Sequence, residues 1–345
     1  MNTLAERQNI FSLPAGYTAR GGVIEDYKIA FDLLNIHALH VNGSVDLLDP
    51  ELLRLDWLNE GFHPETDMRM VFAADGSLAG FVECWQTQEP PVHPWIYGVV
   101  HPEHWGKGIG SHLVTWAEER ASAALETCAP ELRVAPRSGT VAHNKTGKDL
   151  FEALGWKHIR SFYRMVTDLD AAPEVPQLPD GISIRPYDPE TELEVVYNTM
   201  WEAFRDHFGV IVPPFEKGLA EFKHNFIEVP GYDPHFWFVA MDGDQMVGIS
   251  ICRPVDDEDP DCGWVNELGV LRPWRKHGIG FALLKHSFAA FYAAGRKRAG
   301  LGVDSQNLTG ALRLYERAGM HVARQFDQYE KELRPGVEIS TETLS

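Results

Sequence analysis

The clearest candidate for chemistry is a glycine-rich stretch between an apolar strand and an apolar helix. It consists of the consecutive residues Arg275, Lys276, His277, Gly278, Ile279 and Gly280. Glycine lets a backbone approach a bulky anion without a clash from Cβ, and a helix that begins there directs its unpaired N–H groups at the same point. Such a nest of N–H groups suits a pyrophosphate. By itself the pattern is equally typical of a tight turn between a strand and a helix.

The elements that must position this loop follow from the apolar pattern. A strand is predicted at residues 264–270, and a hairpin is predicted around Asp242 and Gly243. A helix is predicted from Gly278 because apolar residues recur at steps of three and four, at Phe281, Leu284, Phe288 and Phe291. Strands alternate with helices along the whole chain, so the fold class is α/β (α+β).

The chain contains an internal repeat. Three segments recur in the same order at offsets of 170, 168 and 164 residues: 105–110 as 275–280, 79–84 as 247–252, and 151–156 as 315–320. Nearly constant offsets indicate a duplicated domain. At 345 residues the chain is long enough for two domains, each with its own core.

The repeat divides the chain into four predicted regions. Residues 1–168 form an N-terminal domain and residues 182–334 a C-terminal domain. The linker at residues 169–181 contains Pro173, Pro176 and Pro179, a composition typical of an extended spacer. Residues 335–345 are polar without a period, which predicts a flexible tail.

The loop and a segment beyond it together resemble a known family. Arg275-x-x-Gly278-x-Gly280 is similar to the acetyl-CoA signature of the GNAT superfamily of N-acetyltransferases, which reads Arg/Gln-x-x-Gly-x-Gly/Ala. Asn307 and the run from Leu314 to Gly319 resemble the family's Asn…Leu-Tyr-Glu-x-x-Gly-Phe segment. The tandem arrangement also resembles mycothiol synthase-like proteins. The resemblance implies two GNAT-like domains, each with a twisted, mixed, mostly antiparallel sheet flanked by helices.

The resemblance also implies where the cosubstrate acetyl-CoA binds. The loop from Arg275 to Gly280 would surround the pyrophosphate, mainly through backbone N–H groups. Val270 and Leu271, at the strand end, would offer backbone groups to the pantetheine arm and the acetyl carbonyl, and Asn307 would contact the same arm.

Acetyl transfer to an amine needs a base for the amine and an acid for the leaving sulfur. Glu267 is the predicted base, acting directly or through water, and an exposed strand carboxylate is its alternative reading. The resemblance implies that Tyr315 is the acid, and a phenol with a pKa near 10 is protonated at neutral pH. The alternative for Tyr315 is a core aromatic, because it shares a helical face with Leu308, Ala311 and Leu312.

The N-terminal copy departs from the signature at two positions. Trp105 replaces Arg275, and Phe151, which has no proton to donate, replaces Tyr315. The remaining residues form a possible second cofactor site: Gly106, Lys107, Gly108, Ile109, Gly110 and Asn144. We therefore expect the N-terminal copy to be non-catalytic. A non-catalytic acyl-CoA-binding protein, regulatory or scaffolding, is the alternative for the whole chain.

Composition limits the partners. The chain has 50 acidic and 31 basic residues, a formal charge of −19, which disfavours nucleic acid and anionic membranes. A small amine acceptor is expected, and the charge favours a cationic one such as a polyamine, an amino sugar or an aminoglycoside, although surplus carboxylates also serve solubility. Four widely spaced cysteines and the absence of a long apolar run indicate a cytoplasmic protein without a structural metal. A monomer and a homodimer both remain open.

Overall fold

The computed structural model describes residues 12–174, 176–307 and 310–341. The chain folds into two compact units. The first unit comprises Met1–Arg160 and Phe326–Ile339, and the second comprises Ser161–Gln325 and Ser340–Ser345. Each unit contains strands in a mixed, mostly antiparallel arrangement with helices packed on it, so the predicted fold class is confirmed.

The strands and helices follow in chain order. The strands are β1 (Thr18–Arg20), β2 (Met68–Phe72), β3 (Leu78–Trp85), β4 (Trp95–Val100), β5 (Arg137–Val141), β6 (Lys157–Asp168), β7 (Ile182–Pro186), β8 (Phe238–Asp242), β9 (Gln245–Arg253), β10 (Cys262–Val270), β11 (Arg298–Asp304) and β12 (His321–Glu330). The helices are α1 (Tyr27–Asn42), α2 (Pro50–Asp56), α3 (Pro64–Asp67), α4 (Ile109–Ala121), α5 (Ala124–Thr127), α6 (Lys145–Ala153), α7 (Leu193–Phe204), α8 (Phe215–Phe226), α9 (Ile279–Ala293) and α10 (Ala311–Arg317).

The two units have the same sheet plan. In the first, β1, β2, β3 and β4 pair antiparallel in that order, and β4 then pairs parallel with β5. In the second, β7, β8, β9 and β10 pair antiparallel, and β10 pairs parallel with β11. The parallel contact joins only Trp95 to Arg137 in the first unit, and Cys262–Val265 to Arg298–Leu301 in the second. Beyond these contacts the two parallel strands no longer pair, which leaves a wedge in each sheet.

The last strand of each sheet comes from the other half of the sequence. Residues 162–168 of β6 pair antiparallel with β11 in the second unit. Residues 326–330 of β12 pair antiparallel with β5 in the first unit. The predicted boundaries at residues 168 and 334 therefore differ from the observed division at Arg160 and Gln325. An apolar pattern shows that a segment is a strand, but it does not show which strand is its partner.

The predicted flexible tail also differs from the structure. In the first unit, Val337 donates its N–H to the Glu131 carbonyl at 2.7 Å and accepts from the Arg133 N–H at 2.9 Å. In the second unit, Thr341 pairs with the loop after α7: the Gly209 N–H donates to its carbonyl at 2.8 Å. Polar composition gave no sign of these backbone bonds. Residues 342–345 lie outside the described part of the chain.

Two glycines explain why the repeat includes the third strand of each unit. A Cβ on Gly80 would stand 3.1 Å from Leu113 of α4, and a Cβ on Gly248 would stand 3.2 Å from Leu283 of α9. Both distances are shorter than ordinary contacts, so glycine lets each helix lie close against its sheet. This packing fixes the start of α4 and α9 beside the wedge. None of the described helices is long and apolar enough to cross a membrane.

Candidate active site and its counterpart in the first unit

The glycine loop of the second unit ends in an unpartnered helix start. Gly278 adopts a left-handed conformation, with φ of 87°, and α9 begins at Ile279 without a side-chain hydrogen bond at its N-cap. Lys276 is also left-handed, with φ of 68°, which is uncommon for a residue with a Cβ. A Cβ on Gly278 would meet no atom within 4 Å, so the space above the loop is open. This backbone conformation is compatible with the anion nest that the sequence predicts.

The first unit repeats this backbone. Gly106 and Gly108 are left-handed, with φ of 72° and 85°, and α4 begins at Ile109, again without a side-chain cap. Glycine thus stands where the second unit holds Lys276 in a strained conformation. One difference is steric, because the Cγ atom of Pro14 lies 3.7 Å from the place of a Cβ on Gly108.

Some side chains of the two loops point into the cores and others lie at the surface. Ile109 and Ile279 are each 1% exposed and pack into the cores of their units, so only their backbone groups can serve a cofactor. Lys107 lies 3.4 Å from His104 Nδ1 through its Nζ, and His277 is exposed.

Val270 and Leu271, at the strand end, differ in the direction of their backbone groups. The Leu271 N–H donates to the Val247 carbonyl at 2.9 Å and its carbonyl accepts from Trp274 at 3.0 Å, so both of its backbone groups are already used. Because 271 and 247 form a hydrogen-bonded pair, the alternation of an antiparallel ladder turns the backbone groups of Val270 away from β9 and toward the wedge. The carbonyl of Val270 accepts from Arg275, so its N–H is the group that could serve the predicted role, whereas both backbone groups of Leu271 are bonded within the protein.

Arg275 acts as a strut between the strand end and α7. Its Nε donates to the Val270 carbonyl at 2.9 Å, and one Nη donates to the Ala203 carbonyl at 2.8 Å. The other Nη pairs at 3.1 Å with Asp206, a buried carboxylate that also pairs with Arg272. The guanidinium is therefore held by the protein, and the loop backbone remains for the pyrophosphate. Sequence reasoning missed Asp206, for which the sequence offers no periodic or motif signal.

Trp105 forms the corresponding strut in the first unit. Its indole Nε1 donates to the Val100 carbonyl at 2.9 Å, the counterpart of the bond from Arg275 to Val270. Its ring contacts His40 of α1 at a centroid distance of 4.9 Å. The departure from the signature at this position therefore keeps the contact that the signature residue makes, and Trp105 does not damage the loop.

Glu267 and Tyr315 lie together at the wedge of the second unit. A bulge between Val265 and Glu267 shifts the register of β10 on β9. The Glu267 side chain is half-buried, and burial raises its pKa to about 7. Among the described residues none forms a hydrogen bond or ion pair with its carboxylate.

Tyr315 is a core aromatic whose hydroxyl is protonated at neutral pH, as the predicted acid requires. Its ring packs in the core beside Phe288 and Met320. Burial, and then the nearby Glu267 carboxylate, raise the pKa of Tyr315 above its ordinary value of 10.0, so the phenol is protonated at neutral pH. The site therefore pairs a carboxyl that can accept a proton with a phenol that can donate one.

The equivalent positions of the first unit hold different groups. Tyr97 stands where Glu267 stands, and its hydroxyl donates to Asp46 Oδ2 at 3.1 Å. Phe151 stands where Tyr315 stands and stacks on Tyr329 at 5.2 Å between ring centroids. The first unit thus lacks both proton-transferring groups of the second at these positions.

The two asparagines, Asn144 and Asn307, make different hydrogen bonds. Asn144 caps α6: its Oδ1 accepts from the Gly147 N–H at 3.1 Å, and its Nδ2 donates to Thr140 at 3.0 Å. Asn307 precedes α10, and its backbone N–H donates to the Asp304 carbonyl at 3.0 Å. The helix predicted from Leu308 begins at Ala311, and Leu308 itself lies outside the described residues.

A cavity of about 550 Å³ occupies the wedge of the first unit. The glycine loop and the start of α4 line one part of it through Gly106, Gly108 and Ser111. Val99 and Val100 line the wedge, and residues 37–46, from α1 and the loop after it, line another part. The cavity volume is within the range of small-molecule and cofactor sites. The loop, the wedge and the cavity therefore form one continuous cleft.

Comparison with known proteins agrees with this geometry. The model of the acetyltransferase (GNAT) family matches the chain twice, at residues 35–156 and 193–320. The two matched regions cover each copy of the loop, wedge and last helix, including Asn144 and Asn307.

Three known proteins show the extent of the similarity. A mycothiol acetyltransferase of Thermobispora bispora is 28% identical over 255 residues, which cover 73% of this chain and 79% of the relative. A crystal structure of a GCN5-related N-acetyltransferase from Sphaerobacter thermophilus is 31% identical, covers 96% of this chain and 100% of that chain, and has a TM-score of 0.79. A tandem GNAT protein from the clavulanic acid biosynthesis pathway has a TM-score of 0.63 at 13% identity, covers 93% of this chain and 100% of that chain, and shares the fold.

Proposed function

The chain belongs to the acetyltransferase (GNAT) family, and we propose that its second unit carries out acetyl transfer while its first unit binds acyl-CoA without turnover. Transfer of an acetyl group from acetyl-CoA to an amine is the activity of the protein. The observation that supports the division is the pair Glu267 and Tyr315 in the second unit, replaced by Tyr97 and Phe151 in the first.

The residues of the second unit supply each proton step. The loop from Arg275 to Gly280 holds the pyrophosphate through its backbone N–H groups. Glu267 takes a proton from the acceptor's ammonium group, directly or through water, and the neutral nitrogen attacks the thioester carbonyl carbon. As the carbon–sulfur bond breaks, the electron pair remains on sulfur, and Tyr315 gives its proton to the thiolate. The nitrogen of the new amide then releases its second proton, which restores the phenol of Tyr315. A Glu267 pKa of about 7 suits a base that must regenerate at neutral pH.

The acceptor is proposed to be a small, cationic primary amine. The relatives named mycothiol acetyltransferase support a small acceptor, and the charge of −19 favours a cation by long-range attraction. Glu267 on β10 supplies a carboxylate at the proposed reaction centre.

The first unit is proposed as a second acyl-CoA site. The left-handed loop, the wedge and the Trp105 strut reproduce the cofactor side of the second unit, and a cavity of about 550 Å³ joins them. Without a counterpart of Tyr315, the bound thioester has no acid at that position and is retained.

The test is a screen of amine acceptors with the purified protein, in which release of free thiol from acetyl-CoA is measured. We expect activity with one or more polyamines, amino sugars or aminoglycosides, and its loss in Tyr315→Phe. Thiol release that is equally fast in Tyr315→Phe would contradict the assignment of the reaction to the second unit.

A further inference from the structure

The cavity of the first unit touches both faces of β4. Val100 faces α4, because a Cβ on Gly110 of that helix would stand 3.9 Å from its Cγ2 atom. Val99 packs on the opposite face, in one cluster with Leu33 and Leu34 of α1. Both valines line the cavity. A cavity that reaches both faces of a strand must pass beside it, and β4 and β5 separate at the wedge. The cavity therefore runs from the glycine loop through the wedge to α1.

This path fixes the order in which an acyl-CoA would lie along it. The glycine loop and the start of α4 are at one end, where the backbone N–H groups suit the pyrophosphate. The acyl group of an acyl-CoA is attached at the end of the pantetheine arm that is remote from the pyrophosphate. An arm that passes through the wedge therefore delivers the acyl group to the face of β4 that α1 covers.

The part of the cavity on this face is lined by apolar side chains. They are Ala38 and Val41 of α1, Phe81 of β3 and Val99 of β4, and we call them the α1 part of the cavity. Ala38, Phe81 and Val99 are 3%, 0% and 6% exposed, so their positions are fixed by the core around them. Such a lining favours methylene groups, because each one that enters it leaves water.

The polar groups nearby do not call for a charged ligand. The hydroxyl of Tyr97 donates to Asp46 Oδ2 at 3.1 Å, so these two lining residues are bonded to each other. Burial, and then the nearby His40, lower the pKa of His37 to about 4, so its ring is neutral at physiological pH. No lysine or arginine is among the described lining residues. An acyl chain that fits this part of the cavity is therefore uncharged.

The second unit is closed at the equivalent place. Gly269 precedes Val270 as Val99 precedes Val100, and it pairs with β9 as Val99 pairs with β3. A Cβ on Gly269 would stand 2.8 Å from Ala203 and 3.0 Å from Phe204, so α7 lies directly against β10 there. Val99 instead has a full side chain at this position, and it lines the cavity together with residues of α1. The first unit thus has room where the second has a helix in contact with its strand.

We propose that the first unit binds acyl-CoA molecules whose acyl chain is aliphatic, uncharged and longer than acetyl, with the chain in the α1 part of the cavity. The proposal rests on the proposed acyl-CoA site of the first unit and names its ligand class. The second unit takes the short acetyl group, since α7 occupies the space that a longer chain would need. The two units therefore differ in the acyl group they select as well as in their proton-transferring residues.

The experiment is a calorimetric titration of two full-length variants with CoA, acetyl-CoA and butyryl-CoA. Gly278→Val leaves only the loop of the first unit intact, and Gly108→Val only that of the second, because a branched side chain is strained at φ of 87° or 85°. Butyryl-CoA has two more methylenes than acetyl-CoA. Each buried methylene strengthens binding about fourfold, so we expect roughly 16-fold tighter binding of butyryl-CoA to Gly278→Val. Gly108→Val should show no such gain.

Two further substitutions, each added to Gly278→Val, locate the acyl chain. Val41→Phe adds bulk to the α1 part of the cavity at a half-buried position. Leu39→Phe makes a similar change at a position of the same helix that is 51% exposed, and it is the matched control. The preference for butyryl-CoA should vanish in Val41→Phe, with CoA affinity unchanged, and persist in Leu39→Phe. In a chain without loop substitutions, Val41→Phe should likewise abolish the tighter of the two butyryl-CoA sites, so the test does not depend on the folding of the loop variants.

The outcomes separate the two proposals. If CoA binds to Gly108→Val but not to Gly278→Val, the acyl-CoA site of the first unit fails, and the acyl preference fails with it. If CoA binds to Gly278→Val but acetyl-CoA and butyryl-CoA bind equally well, the acyl preference is overturned and the acyl-CoA site stands. The same conclusion follows if the preference survives Val41→Phe.

Discussion

The two units share a backbone plan and differ in the groups that could move protons. Each has a left-handed loop before its long helix, a wedge beside the fourth strand, and a strut that donates to the carbonyl of the last residue of that strand. The second unit then places Glu267 beside Tyr315, whereas the first places Tyr97 and Phe151 at the same positions. Cofactor binding depends on backbone geometry, which survives many substitutions, and proton transfer depends on particular side chains.

The struts show that a residue type can change while a hydrogen bond is kept. An indole N–H and a guanidinium N–H both reach a carbonyl at 2.9 Å, at Val100 and Val270. No such replacement exists for a leaving-group acid, because phenylalanine at the position of Tyr315 has no exchangeable proton. The two units therefore predict different outcomes for matched substitutions.

The largest effect is expected from Tyr315→Phe. The variant keeps the ring in its core position and removes the hydroxyl, so kcat should fall about 10²- to 10⁴-fold with unchanged acetyl-CoA affinity and melting temperature. The measurement is the pre-steady-state rate of the chemical step. Tyr97→Phe removes a tyrosine hydroxyl from the first unit and is the matched control, with a wild-type rate expected. A wild-type chemical step in Tyr315→Phe would show that Tyr315 is only a core aromatic.

Glu267→Gln should have the next largest effect, a decrease of about 10²-fold in kcat/KM. For the wild-type protein, kcat/KM should rise with pH up to about 7, as Glu267 loses its proton, and then level off. In the glutamine variant this acidic limb should disappear from the pH profile.

Glu83 supplies the control from the first unit. Glu83 is buried, its pKa is raised by burial to about 7 like that of Glu267, and it accepts from the indole Nε1 atoms of Trp57 at 2.7 Å and Trp85 at 2.9 Å. Glu83→Gln should leave the acidic limb unchanged. If the acidic limb of the kcat/KM profile disappears in Glu83→Gln and persists in Glu267→Gln, the base has been assigned to the wrong unit.

Much of this comparison was predictable from the sequence, because glycines, strand ends and the last helix recur at nearly constant offsets. The choice between Val270 and Leu271 was not, since it depends on which residue of a ladder forms the hydrogen-bonded pair. The strut role of Trp105 could not be predicted from the sequence. A tryptophan in place of the signature arginine suggested a lost contact, but its indole N–H makes the equivalent bond to the strand end. The pairing of β6 with β11, and of β12 with β5, could not be predicted, because an apolar pattern identifies a strand but not its partner.

A smaller effect is expected at the strut itself. Arg275→Ala removes bonds to Val270, Ala203 and Asp206, and we expect about a tenfold decrease in kcat/KM for acetyl-CoA, equivalent to about one lost charge-assisted bond. Arg275→Trp should recover part of this loss, because an indole makes the bond to the strand end in the first unit. A tryptophan variant no better than alanine would show that the two struts are not equivalent. Equal kinetic constants for all three proteins would contradict a strut at this position.

The smallest effect concerns the loop after α1 in the first unit and the loop after α7 in the second, which we expect to lie beside the bound amine. In the first unit Asn35 fixes it from within, whereas in the second Thr341 pairs with Gly209 and Val210 at 2.8 and 3.2 Å. A chain ending at Ile339 should raise KM for the amine about threefold, equivalent to about 0.7 kcal/mol, with KM for acetyl-CoA unchanged. A chain ending at Thr341 is the control. Identical amine KM values in the two truncations would rule out this role for Thr341.

An isotope-trapping experiment tests the division between the units most directly. The full-length protein is saturated with acetyl-CoA labelled in the acetyl group, then mixed with saturating amine and a large excess of unlabelled acetyl-CoA, and labelled product is counted per chain. We predict at most one labelled acetyl group transferred per chain, and its loss in Tyr315→Phe, even when two molecules of acetyl-CoA are bound. Two labelled products per chain, or one that survives Tyr315→Phe, would show that the first unit is catalytic.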